Sequence, residues 1–420
     1  MERSVFGLVL AKSETTYGVD PVPTGGLNTI AMIRNTVKFG PKFTHIMRQV
    51  ADGSFSKVAG ANTLPEVSFD FSVEVRGNRT TGAVADISAG YVANKLEIDC
   101  LLQACDLTPT YTAESSGGAR DGNVTYLPLV PATTGASVTF YFYSGLKLHK
   151  ITGCKGTVKG SLQAGQFGQL DFSFTGSYVD VVDAALPAAG NYLATVAVQA
   201  SGTGYVVGDI LTIAGGTGTV TASARVTAVS STGQITGIKV AQVGLYSVSP
   251  SLSANAVTGG TGTTATLNLT FNANTAAVFL NTKPPVFSAS GSTVGSYSPV
   301  FTKLDFDLGA KVTKREDANS VNGVAGFLIT DRATKATIDP ESVVEATSPV
   351  WDDLNSATSR TITGKIGTDS GNKFQVQIIG VPESVSYGDR QGLRTTPITY
   401  SAERANLTDA VNSEFALKFY

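Results

Sequence analysis

Strict alternation of apolar and polar residues is the clearest pattern along the chain. Between Val67 and Val75 every odd-numbered residue is apolar and every even-numbered residue is polar. A period of two predicts a β-strand with one buried and one solvent-facing side. The pattern recurs at 138–142, 170–175, 304–308, 374–378 and 415–419. Sheets with one wet face are usually antiparallel, so the sequence predicts an antiparallel all-β protein.

Helical periodicity is confined to two segments. Apolar residues recur at helical spacing from Ile98 to Cys105, which predicts one main helix between Asn94 and Leu107 that stops before Pro109. A second helix is predicted at 342–355, where Pro349 interrupts the pattern. The chain should therefore be all-β with one main helix.

The composition changes sharply in the middle of the chain. From Asn191 to Leu280 the only charged residues are Asp209, Arg225 and Lys239. The sequence GGTGT occurs twice there, at 215–219 and 259–263, and a tyrosine and a strand-like segment precede each copy. Two copies of one unit indicate a small β module built by duplication.

Proline-marked turns flank this segment, at Pro187 and at Pro284. Such borders are typical of a domain inserted into a surface loop of another domain. We therefore divide the chain into a first host part at 1–187, an inserted Gly/Thr-rich β module at 188–280, and a second host part at 281–420.

Charge and cysteine content exclude several classes of protein. The net charge is −2, so the chain lacks the basic surface of a tight nucleic-acid binder. Three cysteines are too few for a disulfide framework and fit a reducing compartment. The first ten residues lack the basic start of a signal peptide, and no stretch of about 20 apolar residues predicts a membrane span.

Residues that could carry catalysis or bind a metal are sparse. His45 and His149 are the only histidines, and neither belongs to a pattern with zinc-ligand spacing. The Gly-rich segments lack the Gly-Lys-Ser/Thr ending of a phosphate loop, so tight turns are the better interpretation. We expect no catalytic residue, no metal and no cofactor, and hence no enzyme.

The host parts resemble a family of bacteriophage tail tube proteins. Individually the matching segments are not specific, but they follow one another in the family's order over most of the host. They lie at 15–25, 95–109, 165–178, 186–187, 283–285, 306–309, 315–320, 323–327 and 338–341. In such a family 186–187 and 283–285 would be nearly adjacent, so this chain departs from it by the insertion.

The resemblance implies a fold, an assembly and partners. The fold would be two packed antiparallel sheets in a sandwich or barrel with one flanking helix, similar to the tube protein of type VI secretion. Hexameric rings would stack into the virion tail tube, assembled in the host cytoplasm, through which genome DNA passes without specific binding. A tape measure protein would lie inside, with tail terminator and baseplate proteins at the ends. Contractile and non-contractile tails both fit.

The inserted module resembles Gly-rich β modules of phage virion proteins. We expect it on the outside of the tube, because six bulky modules would block the channel. One alternative is a receptor-binding or surface decoration protein that acts through the module. Another is an enzyme on a β-sandwich, against which the lack of a convincing acid pair or triad speaks.

Carboxylates on the polar sides of alternating strands are the candidate lumen lining. They are Asp70, Glu74, Asp171, Asp305 and Asp307. An ordinary solvated face has the same pattern, but a carboxylate-lined tube would also repel a duplex that carries one negative charge per about 1.7 Å. For contacts between rings the candidates are Tyr17, Pro21 and Pro23, which belong to a Pro- and Gly-rich arm.

Overall fold

The computed structural model describes residues 7–51, 56–77, 96–112, 122–129, 135–279, 282–288, 291–320, 323–404 and 413–420. The predicted start of the main helix at Asn94 and the predicted module boundary at 280–281 lie outside these residues.

The first host part contains nine described strands and two short helices. They are β1 (Gly7–Ser13), α1 (Gly25–Asn28), β2 (Thr29–Ile30), β3 (Lys38–Arg48), β4 (Val58–Glu74), α2 (Asp99–Ala104), β5 (Leu107–Thr112), β6 (Asn123–Pro128), β7 (Val138–Ser144), β8 (Lys147–Gln163) and β9 (Gln169–Asp183).

The central segment and the second host part supply the other elements. The central strands are β10 (Gly190–Ala200), β11 (Ile210–Ile213), β12 (Thr217–Val220), β13 (Ser223–Val229), β14 (Ile235–Gln242), β15 (Leu245–Val248), β16 (Asn255–Thr258) and β17 (Thr266–Asn274). After them come β18 (Thr293–Val294), β19 (Lys303–Asp307), β20 (Ala310–Glu316), β21 (Val324–Arg332), β22 (Lys335–Ile338), α3 (Val350–Ser356), β23 (Arg360–Ile366), β24 (Phe374–Val385), β25 (Gly388–Arg390), β26 (Leu393–Thr395), β27 (Ile398–Ala402) and β28 (Phe415–Phe419).

Long strands that change partners give the sheet its topology. The first half of β8 pairs with β7 and its second half with β19, while β9 runs along its other edge. Likewise β24 pairs first with β28 and then with β27. A bulge between Thr152 and Lys155, with Gly153 at a φ of 64°, marks the change of partner in β8.

The all-β prediction is confirmed, but the predicted arrangement of two packed antiparallel sheets is not. Instead of two separate antiparallel sheets, the described pairings join 24 strands into one network without a closed barrel, and two-stranded sheets form from β20–β21 and β25–β26. The network is mixed, because β9 and β14 meet in parallel at a single pair. Long strands that pair with two sets of partners, such as β8 and β24, link the strands into this one network.

An aromatic core underlies the host parts. On β4 the alternation is observed as predicted, because Val67, Phe69 and Phe71 are at most 2% exposed. The Phe69 ring lies 5.1 Å from that of Phe140, which in turn lies 4.9 Å from Phe174. Burial of such a side chain stabilises a fold by roughly 1.5–3 kcal/mol, so this cluster fixes the sheet in place.

The two predicted helices, α2 and α3, are both shorter than the sequence pattern suggested. Helix α2 ends at Ala104, where Asp106 adopts a φ of 55° that no continued helix allows. Pro109 consequently lies inside β5 and does not stop the helix. Helix α3 begins directly after Pro349, because the proline ring suits the start of a helix better than its interior.

The two repeats of the module interlock. Ile213 of the first repeat pairs with Val257 of the second. The two residues are equivalent, because they are separated by the same number of positions as the two GGTGT copies. The backbone N–H of Ala222 donates to the Tyr246 hydroxyl (2.7 Å), and that of Ala265 donates to the Tyr205 hydroxyl (3.4 Å). Each tyrosine thus bonds to the segment after the other repeat's GGTGT, which gives the module an approximate two-fold symmetry.

An apolar seam joins the module to the host. Buried Tyr143, Leu148 and Val182 of the host pack with Tyr192 and Val243 of the module in one cluster, which we call the seam. The ion pair between Lys239 and Asp180 (3.0 Å) spans the same boundary. The module is therefore packed against the host as well as tethered to it, although its boundaries stay predictions.

Candidate functional site

Strand register brings the five candidate carboxylates onto one face of the sheet. Asp171 on β9 lies between Ser72 on β4 and Lys159 on β8, and Lys159 lies next to Asp307 on β19. In a parallel row, Glu74 lies opposite Gln169, and Asp305 lies opposite Ser161. Asp70 lies opposite Ser173. Partners in register point to the same side, so these residues form one polar face.

Hydrogen bonds hold the carboxylates of β4 and β9. Asp171 accepts from the Ser72 hydroxyl (2.5 Å) and from the Gln169 amide (2.6 Å). Asp70 accepts from the Ser173 hydroxyl (2.6 Å). These carboxylates are half-buried rather than free in solvent, and their charges are fixed in position.

Lysines stand between the carboxylates of the other strands. Lys159 lies 2.9 Å from Asp307, and Lys303 lies 2.7 Å from Asp305. Farther along, Lys335 lies 2.7 Å from Glu383. These side chains are 36–58% exposed, so each pair contributes only about 0–1 kcal/mol of stability.

The lysines are what the sequence reasoning missed. Lys159 and Ser161 alternate with Val158 and Leu162 in β8, which is the same period-two pattern that identified the acids. Because only the carboxylates of that pattern were considered, the sequence predicted an acidic lining. The face instead alternates between the two signs, with acids in excess.

These residues line a shallow trough that is open to solvent. Its floor is formed by β8, β9, β19 and β22, and the space over this floor, open solvent included, is about 870 Å³. Residues along it are Lys159, Ser161, Gln169, Asp171, Lys303, Asp305, Asp307, Lys335 and Thr337. A wide polar trough that carries charges of both signs can lie beside a charged polymer without holding it tightly.

The candidate inter-ring residues contact their own chain. The Tyr17 hydroxyl donates to the Gly153 carbonyl (2.9 Å) and accepts the Phe327 N–H (2.5 Å). Burial raises the pKa of Tyr17 to about 12, so the hydroxyl stays protonated. The Pro21 carbonyl accepts from the Lys12 ammonium, and Pro23 is buried. Their role between rings stays a prediction.

Two acids of the arm anchor it, and the sequence reasoning did not single them out. Glu14 accepts from Ser137 and Thr139 hydroxyls, each at 2.6 Å. Asp20 accepts from the Tyr141 hydroxyl at 2.5 Å, and burial together with this carboxylate raises the pKa of Tyr141. The arm therefore packs against the host of its own chain.

Two of the three cysteines, Cys105 and Cys154, are buried. Burial raises the pKa of the Cys105 and Cys154 thiols, which keeps them neutral. Within the ranges given above, no cluster of histidine, cysteine, aspartate and glutamate is arranged to hold a metal. No helix there is long and apolar enough to cross a membrane.

Comparison with known proteins gives no relative. Neither a protein-family model nor a curated protein sequence matches the chain.

Proposed function

We propose that this chain is a bacteriophage tail tube protein, which assembles into stacked hexameric rings and conducts genome DNA. The observation that carries the proposal is the polar face of mixed charge on one side of a sheet whose other side packs on the aromatic core. A rigid wall with such a face is what a conduit for a charged polymer needs. Its proposed location is the virion tail.

The edges of the sheet support assembly into rings. Within the described residues, β3 pairs only with β4, and β24 pairs beyond Gly380 only with β27. An unpaired strand edge presents backbone N–H and C=O groups to another chain. Because the two edges lie at opposite ends of the polar face, pairing between copies would extend that face around a lumen.

The charges of the face suit passage without adhesion. An excess of carboxylates repels DNA over roughly 8 Å, the Debye length at physiological salt. Six copies of a purely acidic face would also repel one another. Lys159, Lys303 and Lys335 reduce that repulsion, because each lies beside a carboxylate of the same chain.

The position of the module is compatible with an open channel. Leu148 in the seam and Lys159 in the trough both lie on β8, eleven residues apart. At about 3.3 Å per residue this separation is roughly 35 Å along the strand. A module seated there leaves the trough uncovered, as an outer position requires.

Electron microscopy of the purified protein tests the proposal. Hollow rings or filaments of uniform width are expected, and a protein that stays monomeric at high concentration would contradict the tube function. Replacement of both Asp305 and Asp307 by lysine should leave assembly intact and slow DNA passage, with the defect relieved by salt. Asp331→Lys on β21, also exposed, is the matched control. If DNA passes through tubes of the double variant as fast as through the wild type, the polar face does not line the lumen.

A further inference from the structure

A protruding hairpin carries exposed apolar side chains. It consists of residues 42–51 at the end of β3 and 56–62 at the start of β4, and we call it the basic hairpin. Ile46, Met47 and Val50 are 49–53% exposed on it. Apolar side chains grouped at the end of a protrusion are typical of an interaction surface.

The charge of this hairpin is mainly basic. Lys42, Arg48 and Lys57 are exposed on it, while the acids next to them are Asp52, in the sequence that joins its two arms, and Glu66, opposite Lys42 on β4. A partner surface should therefore combine apolar or aromatic side chains with carboxylates.

A groove with that chemistry lies at the other end of the sheet. It is bounded by α3, the segment 340–349 and the residues before β25, and we call it the aromatic groove. The rings of Trp351 and Tyr387 lie 5.3 Å apart in it. Val343, which lines the groove together with these rings, is 42% exposed.

Carboxylates are fixed at the groove. Glu345 accepts the backbone N–H groups of Trp351 (2.8 Å) and Asp352 (3.1 Å), so its charge is held at the start of α3. Asp352 itself is exposed. The Arg394 guanidinium already stacks 3.9 Å from the centre of the Tyr387 ring, and a second cation can bind the neighbouring indole in the same way.

The two surfaces lie at opposite ends of the sheet. The basic hairpin extends from β3, the edge strand, whereas α3 packs against β24 at the far side of the run through β4, β9, β8, β19, β22 and β27. A contact between different surfaces of two copies is head-to-tail, and such contacts close into rings when the rotation fits.

We propose that the basic hairpin of one copy docks in the aromatic groove of the next copy, with Arg48 or Lys42 beside Asp352 and Trp351 and with Ile46 and Met47 against Val343. This deepens the proposed function, because it names the lateral contact of the ring on which that function rests. The occupant is a second copy of this chain, since the chain itself carries both complementary surfaces.

Charge exchange tests the contact. The hairpin variant carries Lys42→Glu and Arg48→Glu, and the groove variant carries Val343→Lys and Asp352→Lys; all four side chains are exposed, so folding should persist. Each variant alone should self-associate at least about tenfold more weakly than the wild type in sedimentation velocity at low salt. An equimolar mixture of the two, or one chain with all four changes, should associate again. Lys311→Glu with Asp331→Lys, on the β20–β21 hairpin, is the matched control.

The outcomes separate this contact from the tube function. Rings in the wild type that the variants leave unchanged, or a mixture that does not associate, would overturn the docking alone. Restored association without closed rings or tubes would uphold the docking and contradict the tube function. A wild type that stays monomeric would overturn both.

Discussion

The host parts and the inserted module are stabilised in different ways. The host depends on one large core in which phenylalanine rings from several strands pack together. The module has two small cores of mostly aliphatic residues, and its repeats are joined by reciprocal tyrosine contacts. The contrast teaches that a duplicated, glycine-rich sequence can reach a defined fold by interlocking its copies, where a single copy could not bury enough surface.

The seam is where the two meet, and it couples them. Tyr143, Leu148 and Val182 of the host pack there with Tyr192 and Val243 of the module, in a cluster that other host residues complete. Gly190 and Asn274 pair directly, so the chain enters and leaves the module at one point. The module can therefore be deleted with a short linker, but its deletion should lower the free energy of unfolding of the host.

Removal of the module should have the largest effect. A short Gly-Ser linker in place of residues 188–280 can join the ends, because Gly190 and Asn274 are neighbours. We expect the host to fold with a free energy of unfolding lower by on the order of 5 kcal/mol, since several buried side chains each lose about 1.5–3 kcal/mol. The fluorescence of Trp351, the only tryptophan, reports host unfolding in denaturant. Removal of the module exposes Leu148, so Leu148→Lys in the shortened chain should raise its solubility. If the shortened and full-length chains have the same unfolding midpoint, the seam contributes nothing to stability.

Loss of a single tyrosine hydroxyl in the module should have an intermediate effect. Tyr246→Phe leaves the buried N–H of Ala222 without its acceptor, which costs about 1–3 kcal/mol. Tyr205→Phe should cost less, because the equivalent bond is longer, at 3.4 Å against 2.7 Å. Hydrogen exchange of the module strands measures both. Equal effects, or a larger one for Tyr205→Phe, would contradict the geometric difference between the repeats.

The smallest effect should be a pH dependence that arises in the host. His149 lies 4.6 Å from the Phe39 ring, its Nδ1 is buried without a hydrogen-bond partner, and burial followed by Lys147 lowers its pKa. The unfolded chain then binds a proton more readily than the folded one, so stability falls as pH drops below about 6.5, the ordinary histidine value. His149→Phe should reduce the fall of the melting temperature between pH 7 and pH 5. The same slope in variant and wild type would exclude His149 as its source.

The fold class was predictable because strand alternation is local. Val67 to Val75 shows which side of β4 is buried without any knowledge of its neighbours. The ends of α2 and α3 were less predictable. Asp106 turns the chain through a left-handed conformation after α2, and its carboxylate meets Lys155, a residue 49 positions away.

The candidate site was predictable in part for the same reason. Alternation placed Asp171 and Asp307 on polar sides of their strands, but only register puts Lys159 between them. Register depends on long-range pairing, because a shift by one residue would turn every side chain to the other face. Sequence reasoning therefore identified the acids and overlooked the lysines that alternate with them.

The sequence by itself determined the β class, the sides of the strands and the duplication in the module, since all three are periodic patterns along the chain. Tertiary structure decided which charges become neighbours, which tyrosine meets which repeat, and that β8 and β24 serve two sets of partners. It also decided that Leu148 faces the module rather than solvent. These features depend on contacts between distant segments, whose free energy is available only after the chain has folded around the aromatic core.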